Sequence, residues 1–198
     1  MARRIILASQ SPRRKELLAQ VGLEFDVVSA DVDERTLPNE DVDDYVLRVA
    51  TAKAQAISKQ EENHDAVVIA ADTTVTINNE ILTKPQDYED AFRMWSLLSG
   101  QMHEVKTTVV IACASLIRHV TVTTKIYFKE LTSDEMFAYW QTGEPHDKAG
   151  GYAIQGRAAA WVKHIEGSYS SVVGLPLYET LQLLEEIQHQ CAPESIQN

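Results

Sequence analysis

Apolar and polar positions along the chain fall into alternating strand-like and helix-like spacings. Ile5-Ile6-Leu7-Ala8 predicts a short buried strand. It hands over through Ser9-Gln10-Ser11-Pro12 to a helical stretch that runs to Val21 and stops at Gly22. Ser11 suits the N-cap, Pro12 the first helical position and Gly22 the C-terminal stop. Phe25 to Ser29 predicts a second strand leading into the acidic loop Asp31-Val32-Asp33-Glu34-Arg35. Val42, Tyr45, Val46, Val49 and Ala50 share one helical face within Asp41 to Ser58. Val67 to Ala71 predicts a buried strand ending at Asp72, and Val75-Thr76-Ile77 and Glu80-Ile81-Leu82 flank Asn78-Asn79 as a hairpin. Asp87 to Leu98 reads as an amphipathic helix, Val105 to Ala114 and Val120 to Phe128 as paired strands. Thr132 with Glu135 forms a capping box for a helix to Thr142, Trp161 to Ile165 is a short strand, and Val173 to His189 is the closing helix. The alternation predicts an α/β fold.

A chain of 198 residues can bury one core, or form one domain with two lobes around a cleft. The polar end, about residues 192–198, is expected to be disordered or frayed. A net charge of -11 counts against nucleic acid as a partner, because a polyanion meets repulsion over most of the surface. A small anion can still bind where basic side chains converge. No apolar run approaches the roughly 18 residues of a membrane span. The N-terminal apolar run is too short for a signal peptide, so a cytoplasmic protein with no membrane partner is expected. Cys113 and Cys191 lack the spacing of a metal site. Cys113 lies in an apolar strand and reads as a buried thiol, Cys191 as an exposed one. The histidines have no ligand spacing, and His103 reads as a hydrogen-bonded structural residue.

Five segments carry candidate chemistry. Ser9-Gln10-Ser11-Pro12-Arg13-Arg14 puts two guanidiniums in the first turn of a helix, where they oppose the dipole unless an anion compensates. Asp72, followed by Thr73, is expected at the carboxyl end of its strand, where ligands gather in open α/β sheets. Taken alone it reads equally well as a turn or cap aspartate. Lys84 precedes Pro85 and so sits on an extended segment, and Lys53 interrupts an apolar and acidic helix. Either lysine alone reads as solvated surface. The Gly-containing stretch Asp147 to Gly156 would let backbone pass close to a flat ligand, with Gln155 reading a base edge. Gly167 to Pro176 closes onto the last helix.

In this order, and across roughly Ile5 to Ile187, the five segments resemble the Maf family of nucleotide pyrophosphatases. Ser9-Gln10-Ser11-Pro12-Arg13-Arg14, Ala71-Asp72-Thr73, Lys84-Pro85, Asp147 to Gly156 and Val173-Gly174-Leu175-Pro176 carry the resemblance. It implies a single Maf-like domain over 1–198 with an inosine-triphosphatase-like α/β fold, two lobes around a central cleft and a mixed twisted sheet. It further implies cleavage of a nucleoside triphosphate to the monophosphate and pyrophosphate, dependent on Mg²⁺ or Mn²⁺, in a homodimer. The branch acting on dTTP and UTP carries Arg, Thr and Gln at the positions of Arg13, Thr73 and Gln155. The branch acting on 7-methyl-GTP typically has Trp, Gln and Glu there. Gly151 stands where many relatives have Ala, and Ser171 where Asn or His is frequent.

On that resemblance Asp72 becomes the general base that activates water. Arg13, Thr73 and Gln155 become the specificity set. Ser9, Arg14, Lys53 and Lys84 bind phosphate, with Arg13 assisting, and Glu34 joins Asp72 as a metal ligand. Asp33 is the weaker choice for that second carboxylate. Two other readings stay open: the same chemistry on a modified base, or a regulator of cell division that holds a nucleotide without hydrolysing it.

Overall fold

In the computed structural model, which describes residues 3–191, seven strands form one mixed sheet in the order β2-β1-β3-β5-β6-β7, with β4 paired to β3 off that path. The strands are β1 (Ile5–Leu7), β2 (Asp26–Val27), β3 (Val67–Ile77), β4 (Glu80–Leu82), β5 (Met102–Cys113), β6 (Leu116–Phe128) and β7 (Val162–Glu166). The helices are α1 (Pro12–Gln20), α2 (Val42–Ser58), α3 (Tyr88–Leu98), α4 (Ser133–Trp140), α5 (Tyr169–Val173) and α6 (Leu177–Gln190). β1 runs parallel to β2 and β3, and all other pairings are antiparallel. The terminal segment expected to fray, 192–198, lies outside the described residues. No helix among the described residues is long and apolar enough to cross a membrane.

The two faces of β3 explain the layers. Val68 and Ala70 point with Ile6 and Ala8 toward Ala50, Ala54 and Ile57 of α2. Val67, Ile69 and Ala71 point the other way, into a larger core with Leu18, Trp95, Leu98, Phe128 and Leu184. Because both faces are covered, β3 is buried along almost its whole length, as its β-branched run requires.

Several local expectations hold for the stated reasons. Asn78 and Asn79 both take positive φ (51° and 63°) and join Ile77 to Glu80 as a two-residue hairpin. The capping box on α4 is present, with Thr132 and Glu135 each satisfying the other's backbone amide. Gly22, at φ 72°, ends α1 while its amide donates to the Ala19 carbonyl. Cys113 is buried as expected, whereas Cys191, expected to be exposed, is half-buried.

Four expectations need correction. Asp72 does not end a strand: β3 continues through it to Ile77, because β5 pairs with it from Val67 to Thr76. The strand that stops at this level is β1, at Leu7. The closing helix is two helices, since Gly174 adopts φ 134° and Pro176 caps the second. β2 is only two residues of the expected five, and Trp161 precedes β7 in a 3₁₀ turn.

His103 is the buried structural histidine expected. Its Nε2 lies 2.7 Å from the Tyr152 hydroxyl, its ring stacks edge-on against Phe128, and Nδ1 has no partner among the described residues. Burial alone pushes its pKa down to about 3. The unfolded chain therefore takes up a proton below about pH 6.5 that the native chain refuses. Stability is full above that pH and is lost as pH falls toward 3. Urea unfolding is expected to show a loss of roughly 2 kcal/mol between pH 6.5 and 5. The loss should vanish in His103→Gln; an unchanged slope in that variant would assign the effect elsewhere.

Candidate active site

β1 ends at Leu7 while its neighbour β3 runs on, and a cleft of about 450 Å³ opens beyond that end. Ser9, Arg13, Arg14, Glu34, Lys53, Asp72, Thr73, Lys84 and Gln155 all line it. The whole candidate set, dispersed over some 150 residues, therefore meets in one place. The rule of ligands at carboxyl ends of strands holds here for β1, not for the strand bearing Asp72.

Asp72 and Thr73 are adjacent and so project to opposite faces of β3. On the α2 side, Lys53 Nζ lies 2.8 Å from Asp72 Oδ1 and 2.6 Å from Glu34 Oε1. The side chains of Lys53 and Asp72 are each only 10% exposed. Burial raises the Asp72 pKa above the ordinary carboxylate value, although the charges of Lys53 and Arg14 pull it back. Partial burial pushes Glu34 the same way, but the Lys53 hydrogen bond and the Lys53, Lys84 and Arg14 charges hold it below its usual value. Asp33, the weaker choice, is fully engaged by Arg35 and is absent from the cleft lining.

On the other face Arg14 is buried and ties three segments together. Its Nε donates to the Gly174 carbonyl at 2.8 Å, Nη1 to Ser9 Oγ at 3.2 Å and Nη2 to Thr73 Oγ1 at 3.3 Å. Thr73 Oγ1 lies 3.0 Å from Thr107 Oγ1, which lies 2.8 Å from the Ser171 carbonyl. Thr107 is the donor in both contacts, its one hydroxyl proton shared between the Ser171 carbonyl and Thr73 Oγ1, so Thr73 accepts from Arg14 and from Thr107. Thr73 Oγ1 thus helps to hold Arg14 in place. Ser9 is likewise a brace, accepting from Arg14 and from the Ser11 amide. Ser11 sits at the N-cap without a side-chain cap bond, and the Arg13 and Arg14 amides find no acceptor among the described residues. An anion at that helix start would satisfy them.

The outer cations are less committed. Arg13 is 3.9 Å from Asp147 Oδ2, and Lys84 is 3.8 Å from Glu34 Oε2 with a 61% exposed side chain. Gln155 is exposed, on a loop fixed at four points. Gly150 N–H donates to the Thr83 carbonyl, Trp95 Nε1 to the Gly151 carbonyl, Ala153 N–H to the Tyr139 hydroxyl and Arg157 N–H to Glu144. Gly150 serves this packing. At φ 66°, Gly150 has Val75 carbons 3.0 Å from where a Cβ would stand.

Two residues are not singled out by the sequence: Tyr45, which lines the cleft, and Thr107, buried behind Thr73. Tyr45 donates its hydroxyl to the Glu34 carbonyl at 3.0 Å, with its pKa raised to about 12 by burial and by the Asp72 and Glu34 charges. It lies eight residues before Lys53 on the same helical face, a spacing that was available as a signal. Thr107 was out of reach, since only the β3–β5 register places it opposite Thr73.

Fold and cleft together define a class: an α/β protein whose sheet opens at one strand end onto basic side chains and a pair of carboxylates. The chain belongs to the Maf family, the model described as Maf-like protein matching residues 4–187. A relative from Pseudoalteromonas atlantica is 49% identical over 94% of this chain and 100% of its own length. One from Hahella chejuensis is 49% identical over 93% and 92%, and one from Colwellia psychrerythraea 50% identical over 92% and 88%. All three are named dTTP/UTP pyrophosphatase. A solved dITP/XTP pyrophosphatase from Mycobacterium abscessus aligns over 96% of this chain and 98% of its own, at 12% identity and a TM-score of 0.42, too low to bear on the fold.

Proposed function

We propose that the chain hydrolyses dTTP and UTP, or a modified pyrimidine triphosphate, to the monophosphate and pyrophosphate. The observation that carries this reading is the half-committed carboxylate of Asp72. Oδ1 is held by Lys53, while Oδ2 accepts no hydrogen bond among the described residues, and Asp72 lines a cleft ringed by cations. The names of the relatives support the substrate class.

The chain's own groups supply the steps. Arg13, Lys84 and the free amides at the start of α1 neutralise the triphosphate as it enters. Arg14, braced from three sides, presents its remaining N–H groups in a fixed direction. Asp72 takes a proton from a water whose oxygen bonds to the α-phosphorus, and the bond from that phosphorus to the bridging oxygen breaks. Pyrophosphate leaves with the bond's electrons, its charge spread over the basic rim.

Glu34 and Asp72 are the residues that would hold Mg²⁺ or Mn²⁺. Among the described residues no three His, Cys, Asp or Glu side chains cluster as a closed cage. Two carboxylates beside a phosphate site suit Mg²⁺, which takes one or two carboxylates and completes its shell with phosphate oxygens and water. When bound, the ion supplies charge neutralisation and orientation for the leaving group.

A panel of nucleoside triphosphates, scored by kcat/KM for pyrophosphate release with Mg²⁺ or Mn²⁺ present, tests the proposal. dTTP and UTP are expected to lead; a purine at the head of the ranking would overturn it. Gln155→Glu is expected to lower UTP turnover about tenfold relative to GTP, since an amide donor becomes an acceptor at the base edge. An unchanged UTP-to-GTP ratio would remove Gln155 from the specificity set. A regulator that only stores a nucleotide is disfavoured, because pure binding gains nothing from a buried carboxylate beside polyphosphate.

A further inference from the structure

Lys53 stands where a cation shared by Glu34 and Asp72 would stand. Its ammonium lies between the two carboxylates at 2.6 and 2.8 Å, nine-tenths hidden from solvent. Mg²⁺ holds carboxylate oxygens at about 2.0–2.1 Å, so these two oxygens must draw together to share it. The ammonium cannot remain between them when they do, because two cations at such a spacing in partly desolvated surroundings repel strongly. Lys84 at 3.8 Å from Glu34 adds to the positive charge around the pair, and the buried guanidinium of Arg14 adds more. The carboxylates of the free enzyme are therefore already neutralised.

We propose that Lys53 is the resident counter-ion of this pair and bars a free divalent ion from it. It gives up its place only when a triphosphate arrives that brings the ion and offers phosphate oxygens to the displaced ammonium. The four-carbon stem of lysine lets its head move while its Cα stays fixed on α2. The metal–nucleotide complex, and not the metal alone, is then the species the cleft accepts. This inference rests on the function proposed above and assigns Lys53 two successive partners, carboxylates first and phosphate second.

Titration with Mn²⁺ alone, followed by the electron paramagnetic resonance of the free aqueous ion, tests it without any turnover. Nucleotide-free Lys53→Gln is expected to bind Mn²⁺ at least about tenfold more tightly than the wild-type chain, the repulsion and the competitor both being gone. Lys53→Arg, which keeps the charge, should stay as weak as wild type. Adding the non-hydrolysable α,β-methylene analogue of dUTP should tighten Mn²⁺ binding by wild type. Circular dichroism checks that the variants are folded. If Lys53→Gln is not, the wild-type chain decides by itself: binding as tight without the analogue as with it overturns the proposal. Equal affinities in folded Lys53→Gln and wild type overturn it too, even if dTTP is hydrolysed. Failure of dTTP hydrolysis with the expected Mn²⁺ pattern intact overturns only the assigned reaction.

Discussion

Asp72→Asn is expected to lower kcat for dTTP by about 10²–10⁴ while leaving KM within a few fold. The amide keeps the shape of the side chain but cannot take the proton of the attacking water. Phosphate binding, which we assign to Arg13, Arg14, Lys53 and Lys84, should stay largely in place, so the effect is expected to fall on kcat. Near-wild-type release of pyrophosphate by this variant would remove Asp72 from the role of base. The pH profile of the wild-type enzyme supplies a second check. Burial raises the Asp72 pKa, so the carboxylate is protonated and idle at low pH. The acid limb of kcat should rise with pH through a value above the usual 3.8 of an aspartate and disappear in the Asn variant.

Arg14→Lys is expected to be nearly as damaging, with kcat/KM reduced on the order of 10²–10³ although the charge is retained. An ammonium has no fork with which to meet Gly174, Ser9 and Thr73 at once. The Gly174 carbonyl would lose a charge-assisted donor, and the joint between α5 and α6 would lose its tie to α1. Steady-state kinetics on dTTP beside a urea melt separates the two consequences. A lysine variant with full activity would show that only the charge matters and that the three-way brace is incidental.

Thr73 shows how much of a residue's surroundings only the fold supplies. Its Oγ1 lies between Arg14 and Thr107 and accepts from both, so it braces the guanidinium from a position in the cleft lining. Asp72 itself was placed in the right neighbourhood for a partly wrong reason. The apolar run Val67 to Ala71 seemed to end there, but cross-strand pairing with β5 carries the strand six residues further than the last of that run, to Ile77. Main-chain hydrogen bonding does not stop where side chains turn polar, and a polar residue inside a strand is what the wall of a cleft looks like in one dimension.

What the sequence determined by itself was local. The Pro12 start and Gly22 stop of α1, the Asn78-Asn79 turn, the capping box at Thr132 and the amphipathic faces of α2 and α3 rest on backbone conformation and spacing, which neighbours along the chain control. Tertiary structure alone decided which charges meet. The ammonium of Lys53 between Glu34 and Asp72, the Arg14 brace to Gly174 and the hydroxyl link from Thr73 to Ser171 each join residues separated by 19 to 160 positions. Such partners are set by sheet register and by the layer each helix packs on. Those follow from burial summed over the whole core, and no local pattern encodes them.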